Sequence, residues 1–278
     1  MPRAAIAWHA ICSRSLQMLR VMQWPRAATD AWRGDVVRID GSTIEVPGTR
    51  RMRLSVLAGN LRIHRLLDRF VRPGSTVVDV GANIGYNTIH AARLVGPGGR
   101  VLAVEPAGDN LEVLRANVAA AGLANVRIEP VAAGSAPGMR DFFVRGPKSA
   151  VNSLFARSCY AFVTDIVRVP VVPLDDLAPG GADLVKIDVE GAELEVLEGM
   201  HRILATGPVL IVEWHPILQQ LAGHAADALP LWLLRRGWRL EAASHTAIRA
   251  LTEADVPRTT ARWLRLERPV ELLARRGS

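Results

Sequence analysis

The sequence contains little lysine and little cysteine, and it has no long apolar run. Lys148 and Lys186 are the only lysines. Cys12 and Cys159 belong to no CxxC pair or zinc-ligand spacing, so we interpret them as free thiols in a reducing cytoplasm. No apolar run approaches the roughly 18 residues that a membrane-spanning helix needs. Disulfide frameworks, zinc modules and membrane spans are therefore excluded from the expected architecture.

The positive charge of the chain comes almost entirely from arginine. The formal net charge is +7 and the isoelectric point is about 10.5. This balance is compatible with an acidic partner such as nucleic acid or an anionic membrane surface. The arginines are spread along the chain, however, which favours a compositional bias over a single binding surface. A nucleic-acid partner is therefore kept only as the alternative interpretation.

Residues 1–50 are expected to form an extension that precedes the main domain. No acidic residue occurs before Asp30, and arginines are interspersed with apolar residues there, as in a basic helix that lies weakly on a membrane surface. A mobile arm packed loosely on the domain is the simpler interpretation. The stretch VVRIDGSTIEVPG follows, and its Asp40-Gly41 pair between alternating residues predicts a β-hairpin.

Residues 51–278 are expected to form one α/β domain. Hydrophobic residues make up 49% of the chain and charged residues 22%, which is ordinary for a globular protein. A helix is predicted over 51–71, and buried strands then alternate with helices, as in a mostly parallel sheet. The alternation breaks at about 134–165, where an insertion over the sheet could supply substrate contacts. The predicted strands are Thr76–Val80, Arg100–Glu105, Val126–Glu129, Leu184–Asp188, Val209–Trp214 and Trp238–Ala243, whereas the last 30 residues give no clear pattern.

A glycine-rich loop follows the first of these strands, in the stretch VVDVGANIGYNT. Gly81 and Gly85 remove Cβ atoms at the nucleotide-binding position of a doubly wound sheet. The spacing Gly81-x-Asn83-x-Gly85 fits neither the Walker loop nor the dinucleotide fingerprint, and the Asp79 carboxylate disfavours a pyrophosphate. Glu105, at the end of the second strand, can accept hydrogen bonds from both ribose hydroxyls. These residues together predict a nucleoside ligand with positive charge and no phosphate, such as S-adenosylmethionine.

The stretch LVKIDVEGAELEVLEGM places charged residues in an otherwise buried strand. Lys186, Asp188 and Glu190 alternate with apolar residues at the period of a strand, and burying such groups without partners is costly. In the stretch VLIVEWHP, the same alternation puts Glu213 and His215 on one face. Because the carboxyl ends of parallel strands meet at one edge of a sheet, we expect these side chains to line one crevice.

Several roles are open for these residues. His215 could act as a general base, because its unperturbed pKa lies near neutrality, or it could be a core histidine bonded to backbone. Asp188 could take the proton or hold an acceptor hydroxyl. Lys186 could form a structural ion pair with Asp188 or Glu213. Asp188, Glu190 and Glu213 could also supply oxygen ligands to magnesium, but no dedicated metal spacing is present, so we expect no metal.

Three stretches, DVGANIGYNT, VEPAGDNLEVLRANV and KIDVEGAELEVLEGM, resemble the FkbM family of class I S-adenosylmethionine-dependent methyltransferases. The resemblance covers about residues 73–238. It implies a Rossmann-like, seven-stranded methyltransferase sheet in which strand 4 neighbours strands 1 and 5. It also implies that the residues in contact with the S-adenosylmethionine cofactor are Asp79, Gly81, Asn83, Gly85 and Glu105.

The resemblance further implies an enzyme that methylates a hydroxyl oxygen of a sugar or of a small molecule of secondary metabolism. The alternative is a nucleic-acid methyltransferase or a nucleic-acid-binding protein. Against base methylation, the fourth strand ends in DVEG and lacks the Asn/Asp-Pro-Pro-aromatic turn that holds a flipped base amine. Family members often carry Tyr-Glu before the helix that precedes strand 1, whereas this chain has AGNLRIHRLL there, in which Asn60 could take that role.

Overall fold

The computed structural model describes the backbone of residues 32–33, 36–39, 42–45, 50–146, 149–156, 163–243 and 248–277, and the side chains from residue 60 onward. The predicted basic arm, the Asp40-Gly41 turn, Lys148 and both cysteines lie outside the described residues. Within the described part, no helix is both long and apolar enough to cross a lipid bilayer.

The chain alternates between strands and helices, as the sequence predicts for an α/β protein. Most predicted elements begin and end within one or two residues of their expected positions. In chain order the described elements are β1 (Trp32–Arg33), β2 (Val36–Ile39), β3 (Ser42–Glu45), α1 (Arg50–Phe70), β4 (Thr76–Val80), α2 (Tyr86–Val95), β5 (Arg100–Val104), α3 (Gly108–Ala120), β6 (Val126–Glu129), β7 (Ala132–Ala133), β8 (Gly138–Val144), β9 (Asp165–Val172), α4 (Leu174–Leu177), β10 (Leu184–Ile187), α5 (Glu193–Glu198), α6 (His201–Ala205), β11 (Val209–Trp214), α7 (Pro216–Leu221), α8 (Ala228–Leu234), β12 (Trp238–Ala243), β13 (Ile248–Leu251), α9 (Val256–Leu266) and β14 (Val270–Arg276).

The main sheet has the strand order β13-β12-β14-β11-β10-β4-β5-β6 among the described residues. Strand β10 pairs in parallel with both β4 and β11, which confirms the predicted neighbours of the fourth strand. The sheet has eight strands in this part of the chain, and not seven, because β13 adds to the outer edge of β12. Strand β14, which the sequence pattern does not predict, lies antiparallel between β11 and β12.

Two smaller sheets accompany the main one in the described residues. Strands β1, β2 and β3 pair in chain order, and the register joins Ile39 to Ser42 as the predicted hairpin requires. Strands β7, β9 and β8 form the other sheet, in that order, within and beside the predicted insertion. After β8 the chain folds back along this strand, and Ser153 forms an isolated antiparallel β-bridge with Phe143.

Two predicted boundaries around β10 need correction. Strand β10 ends at Ile187, so Asp188 is the first residue after the strand. The single helix predicted from about residue 192 to 203 is divided into α5 and α6. The break lies at Gly199, where a Cβ atom would come within 2.0 Å of the backbone oxygen of Gly134. The close packing leaves no space for a side chain at this position, and glycine is a poor helix former, so the break falls at this residue.

Alternation along the central strands separates an apolar face from a face that carries charge. Val185 and Ile187 pack into the core cluster that also contains residues of α5, α6 and α8. Leu184 packs on the opposite face, together with residues of α1 and α2. The register places Lys186 opposite Asp79 of β4, on that second face. The switch in strand order between β4 and β10 therefore brings charged side chains to the position where open α/β sheets bind ligands.

Candidate active site

The glycine loop packs directly against the chain that leaves β10. Gly81 has a φ of +75°, and a Cβ atom at this position would lie 1.8 Å from the backbone oxygen of Asp188. Gly85 precedes α2 with a φ of +91°, and its Cβ would lie 2.6 Å from the Leu114 side chain. The left-handed backbone favours glycine at both positions, and at Gly81 the contact with backbone requires it. The predicted cofactor loop thus touches a residue that the sequence assigns to the acceptor.

Lys186 links the glycine loop to Asp188 through a buried network. Its ammonium lies 3.2 Å from Asp79 Oδ1 and 3.5 Å from Asp188 Oδ2, and it donates to the carbonyl oxygen of Gly81 at 3.0 Å. The other Asp79 oxygen accepts a hydrogen bond from the Thr88 hydroxyl at 2.6 Å. Burial lowers the pKa of Lys186, but the charges of Asp79 and Asp188 outweigh it and raise that pKa above its ordinary value. Lys186 is therefore a charged bridge whose nearer partner is Asp79.

Glu105 holds the far side of the loop. Its Oε2 accepts from the backbone N–H of Asn83 at 2.9 Å, and its Oε1 accepts from the N–H of Ala107 at 3.0 Å and the Asn110 amide at 3.3 Å. Asn83 has a left-handed φ of +51°. Burial raises the pKa of Glu105, and these N–H donors partly offset the rise. A carboxylate oxygen can accept two hydrogen bonds, so Oε2 can hold Asn83 and also accept from a ribose hydroxyl.

Three carboxylates meet beyond the ends of β10 and β11. Ligand oxygens of Asp188, Glu190 and Glu213 all lie within 4.8 Å of one another, and all three residues are half-buried. Burial raises the pKa of Glu190 and that of Glu213 well above their ordinary values, and the charge of Asp188 raises both further. This acidic cluster can accept a proton, and its oxygens could also bind a cation.

Glu193 fixes the turn that carries Glu190. Glu190 has a left-handed φ of +55° and precedes Gly191. The Glu193 carboxylate accepts from the backbone N–H groups of Gly191 at 3.0 Å and Val189 at 3.4 Å, and from the Gln219 amide at 2.7 Å. Burial raises the pKa of Glu193 to about 7. Glu193 lies in the first turn of α5, where a carboxylate is favoured in any helix, so its sequence position gives no sign of this organising role.

His215 lies at the start of α7 and is buried. Its Nδ1 accepts from the backbone N–H of Leu218 at 3.5 Å. Burial lowers the pKa of His215 to about 4, so the ring is neutral near pH 7. With Nδ1 as the acceptor, the proton of the neutral ring lies on Nε2, and neither nitrogen has a lone pair ready for another proton. Two roles are open for His215 from the sequence, a general base and a core histidine bonded to backbone. This arrangement matches the second.

The structure adds two charged residues that sequence reasoning misses. Glu271 of β14 lies opposite Glu213 in the sheet register, and the Arg62 guanidinium of α1 forms an ion pair with Glu271. Burial raises the pKa of Glu271, while the charge of Arg62 acts in the opposite direction. In the sequence, Glu271 directly precedes the apolar run LLA. A carboxylate next to buried strand residues is the same kind of pattern that indicates the site around Lys186. It could have been found only if β14 had been recognised as a strand.

Asn60 lies beside the helix that follows the glycine loop. Its Oδ1 accepts from the side-chain amide of Asn87, in the first turn of α2, at 2.7 Å. The residue at which the chain departs from the usual family pattern is therefore close to the loop. Its contact with the cofactor stays a prediction.

The residues from 149 to 156, here called the 149–156 segment, connect the two sides of the crevice. The Ser153 hydroxyl donates to the backbone oxygen of Glu190 at 2.8 Å, and the Asn110 amide donates to that of Ser149 at 3.1 Å. The buried Arg145 guanidinium holds the segment by donating to the carbonyl oxygens of residues 151, 155 and 156. Part of the predicted insertion thus lies where an acceptor would enter, and substrate contact by this segment stays a prediction.

The residues of the loop fit a positively charged nucleoside. The space where Cβ atoms of Gly81 and Gly85 would lie is filled by the Asp188 backbone and the Leu114 side chain, so the two glycines shape the loop itself. The carboxylates beside the loop are Asp79 and Glu105, and the one nearby ammonium, that of Lys186 among the described residues, is already close to two carboxylates. A phosphate would meet repulsion here, whereas hydroxyl donors and cationic groups would not. S-adenosylmethionine has this chemistry.

The sheet order and this loop define a Rossmann-like domain of the methyltransferase type. Residues 79–240, more than half of the chain, match the methyltransferase FkbM domain. The chain therefore belongs to the FkbM methyltransferase family, as the three sequence stretches indicate. S-adenosylmethionine is accordingly the cofactor of this domain.

Two relatives and one solved structure illustrate the similarity. A protein-L-isoaspartate O-methyltransferase of Aeropyrum pernix is 38% identical over 148 residues, which is 53% of this chain and 47% of that protein. The hexuronic acid methyltransferase AglP of Haloferax volcanii is 30% identical over 167 residues, 59% of this chain and 65% of that protein. The chain thus spans about half to two thirds of these relatives. A SAM-dependent O-methyltransferase of Thermotoga maritima has a TM-score of 0.45 and 14% identity, covering 91% of this chain and 81% of that one.

Proposed function

We propose that this protein transfers the methyl group of S-adenosylmethionine to a hydroxyl oxygen of a sugar or another small molecule. The observation that carries the proposal is the bridge made by Lys186, which lies 3.2 Å from Asp79 on the cofactor side and 3.5 Å from Asp188 on the acidic side. The bridge puts the cofactor loop and the acidic cluster in one crevice. A methyl donor and a proton acceptor would therefore meet there.

The proposed reaction needs positioning and a proton acceptor from the protein, and no protein nucleophile. When bound, S-adenosylmethionine supplies the methyl group. The acceptor oxygen takes this methyl group, and the hydroxyl proton passes to a carboxylate of the acidic cluster. The raised pKa of Glu190 and of Glu213 supports this assignment, because a higher pKa makes an ionised carboxylate a stronger proton acceptor.

We assign Asp188 as the cluster member that binds the acceptor hydroxyl and is the first to take its proton. It follows β10 directly and is close to Lys186, which orients its carboxylate and also holds the loop. Glu190 and Glu213 share the negative charge and the proton. His215 acts in this proposal by positioning α7, whose Gln219 holds Glu193.

The acidic cluster also limits the charge of the acceptor group that can bind there. Carboxylates that repel one another repel an anionic group as well, so a neutral hydroxyl is favoured at the reacting position. The relative that methylates a hexuronic acid supports a sugar acceptor. If the acceptor is a uronic acid, its own carboxylate would have to face away from Asp188.

The test combines labelled S-adenosylmethionine with fractionated extracts, defined sugars, other small hydroxyl compounds and RNA. We expect the label in a sugar or small-molecule ether. The variant Asp188→Asn should lower turnover by about 100-fold or more, the usual effect of losing an acid-base group, while S-adenosylhomocysteine binding changes by less than about threefold. Asp176→Asn, at an exposed ion pair with Arg202, is the matched control and should behave as wild type.

Two outcomes would contradict the proposal. Label in RNA alone would favour a nucleic-acid methyltransferase. Loss of S-adenosylhomocysteine binding in Asp188→Asn, equal to the loss of turnover, would move Asp188 from the acceptor side to the cofactor side.

A further inference from the structure

A second concave site lies at the edge of the main sheet opposite to the glycine loop. Trp238 begins β12 and Arg276 ends β14, and the sheet register pairs these two residues. Both β11 and β12 are antiparallel to β14, so the pair lies at the amino ends of the parallel strands. The acidic cluster lies beyond their carboxyl ends. The six residues of β11 separate the two sites by roughly 20 Å at about 3.3 Å per residue.

This site is a cavity of about 240 Å³ with aromatic and cationic walls. The Arg236 guanidinium lies 3.9 Å from the ring centre of Trp232, and the Arg276 guanidinium lies 5.0 Å from that of Trp238. His201 completes the rim, while Leu204 and Ala205 contribute apolar surface. Both arginines and His201 are exposed, so the cavity opens to solvent.

The two guanidinium groups retain most of their hydrogen-bond donors. Arg276 donates to the backbone oxygen of Arg236 at 3.2 Å, and Arg236 donates to that of Trp232 at 3.3 Å. A guanidinium has five N–H donors, so the others can face a ligand. None of the described residues that line the cavity is acidic. Their positive charge is therefore available to an anion.

The arginines next to these two in the sequence have the opposite environment. Arg235 lies 3.7 Å from Glu253, and Arg275 donates to Glu241 at 2.9 Å. In the described part of the chain, no such carboxylate accompanies Arg236 or Arg276. The unbalanced charge is thus a local property of the cavity and is distinct from the high arginine content of the chain.

We propose that this cavity binds a small aromatic anion, a planar ring that carries a phosphate or a carboxylate. The ring lies against the half-buried Trp232 indole and the guanidinium planes, and the anionic group accepts hydrogen bonds from Arg236 and Arg276. The volume is below the roughly 300–1,000 Å³ of sites for drug-sized ligands, so one ring with its anionic group fits and a dinucleotide does not. The site does not depend on the methyl-transfer reaction.

The test measures binding of phenyl phosphate by titration calorimetry, with saturating S-adenosylhomocysteine present so that the cofactor site is not available. Phenyl phosphate should bind the full chain, and inorganic phosphate and phenol should each bind at least about tenfold more weakly, because each lacks one of the two recognised groups. Arg276→Gln and Arg236→Gln should each weaken binding by about tenfold or more. Arg235→Gln removes the same charge one residue away and should leave the affinity unchanged.

Four results would overturn this inference. Phenyl phosphate that fails to bind is one, and equal binding of phosphate and phenyl phosphate is another, since the ring would then not be recognised. Equal weakening by Arg235→Gln and Arg236→Gln would reveal general charge attraction only. A short oligouridylate that binds where phenyl phosphate and uridine monophosphate do not would assign the surface to nucleic acid instead. Unchanged S-adenosylhomocysteine affinity in all variants serves as the control for folding.

Discussion

At the scale of single residues, Gly81 determines how closely the two sides of the crevice approach. We expect Gly81→Ala to lower the free energy of unfolding by more than the roughly 1–2 kcal/mol that a left-handed φ costs an ordinary residue, because its Cβ would also meet the Asp188 backbone oxygen. S-adenosylhomocysteine binding should be lost with it. Chemical denaturation and titration calorimetry measure the two effects.

Gly74 provides the control for this prediction. Its φ is +87°, close to that of Gly81, but a Cβ there would meet nothing within 4 Å. Gly74→Ala should therefore show the cost of the backbone conformation alone and retain ligand binding. If both variants bound S-adenosylhomocysteine equally well, the close approach at Gly81 would not be needed for the cofactor site.

At the scale of elements, the turn between β10 and α5 depends on the protonation of Glu193. Burial raises the pKa of its carboxyl from the ordinary 4.5 to about 7. Between these values the folded protein holds a proton that the unfolded chain has released, so the free energy of unfolding falls as the pH rises from 4.5 to 7 and changes little above that. At 1.36 kcal/mol for each pKa unit, the proton on Glu193 contributes about 3 kcal/mol to the free energy of unfolding at low pH.

The variant Glu193→Gln should remove this dependence, because an amide keeps an acceptor oxygen for Gly191 and does not titrate. Other buried carboxyls also titrate, so the quantity to compare is the difference in unfolding free energy between wild type and variant across this pH range. Glu198→Gln, an exposed position of the same helix, should leave the curve of wild type unchanged. Parallel curves for wild type and Glu193→Gln would show that Glu193 is ionised throughout.

The same elements show what the sequence could and could not predict. The glycine loop and the charges around β10 are local patterns, so spacing and the period of a strand suffice to find Asp79, Gly81 and Lys186. Bringing Asp188 and Glu213 together needs only the rule that parallel strands end at one edge. Glu271 depends on β14 inserting between β11 and β12, a long-range antiparallel pairing that no local pattern encodes.

The 149–156 segment escapes sequence prediction for another reason. It has no regular period, and its conformation depends on Arg145 donating to backbone carbonyl oxygens that any residue could provide. Its position between Asn110 and Glu190 therefore becomes visible only in the folded chain.

At the scale of the whole molecule, a chain with a net charge of +7 concentrates carboxylates in one crevice. We expect methyl transfer to proceed without a divalent cation. Lys186 lies next to Asp188, Arg62 is paired with Glu271, and the raised pKa of Glu190 and of Glu213 lets a proton relieve the remaining repulsion. These charges reduce the need for a metal to balance the three carboxylates.

Activity should therefore survive dialysis against EDTA, and added Mg²⁺ should change the rate by less than about twofold, because no step of the proposed transfer uses a metal ligand. The measurement is the initial rate with the acceptor identified from the labelled extract, before and after Mg²⁺ is restored. Loss of activity in EDTA with recovery on Mg²⁺ would instead make Asp188, Glu190 and Glu213 metal ligands. In that case Glu213→Gln should weaken the response to Mg²⁺. In the metal-free reaction the same variant should instead shift the pH dependence of the rate, because Glu213 shares the proton taken from the acceptor.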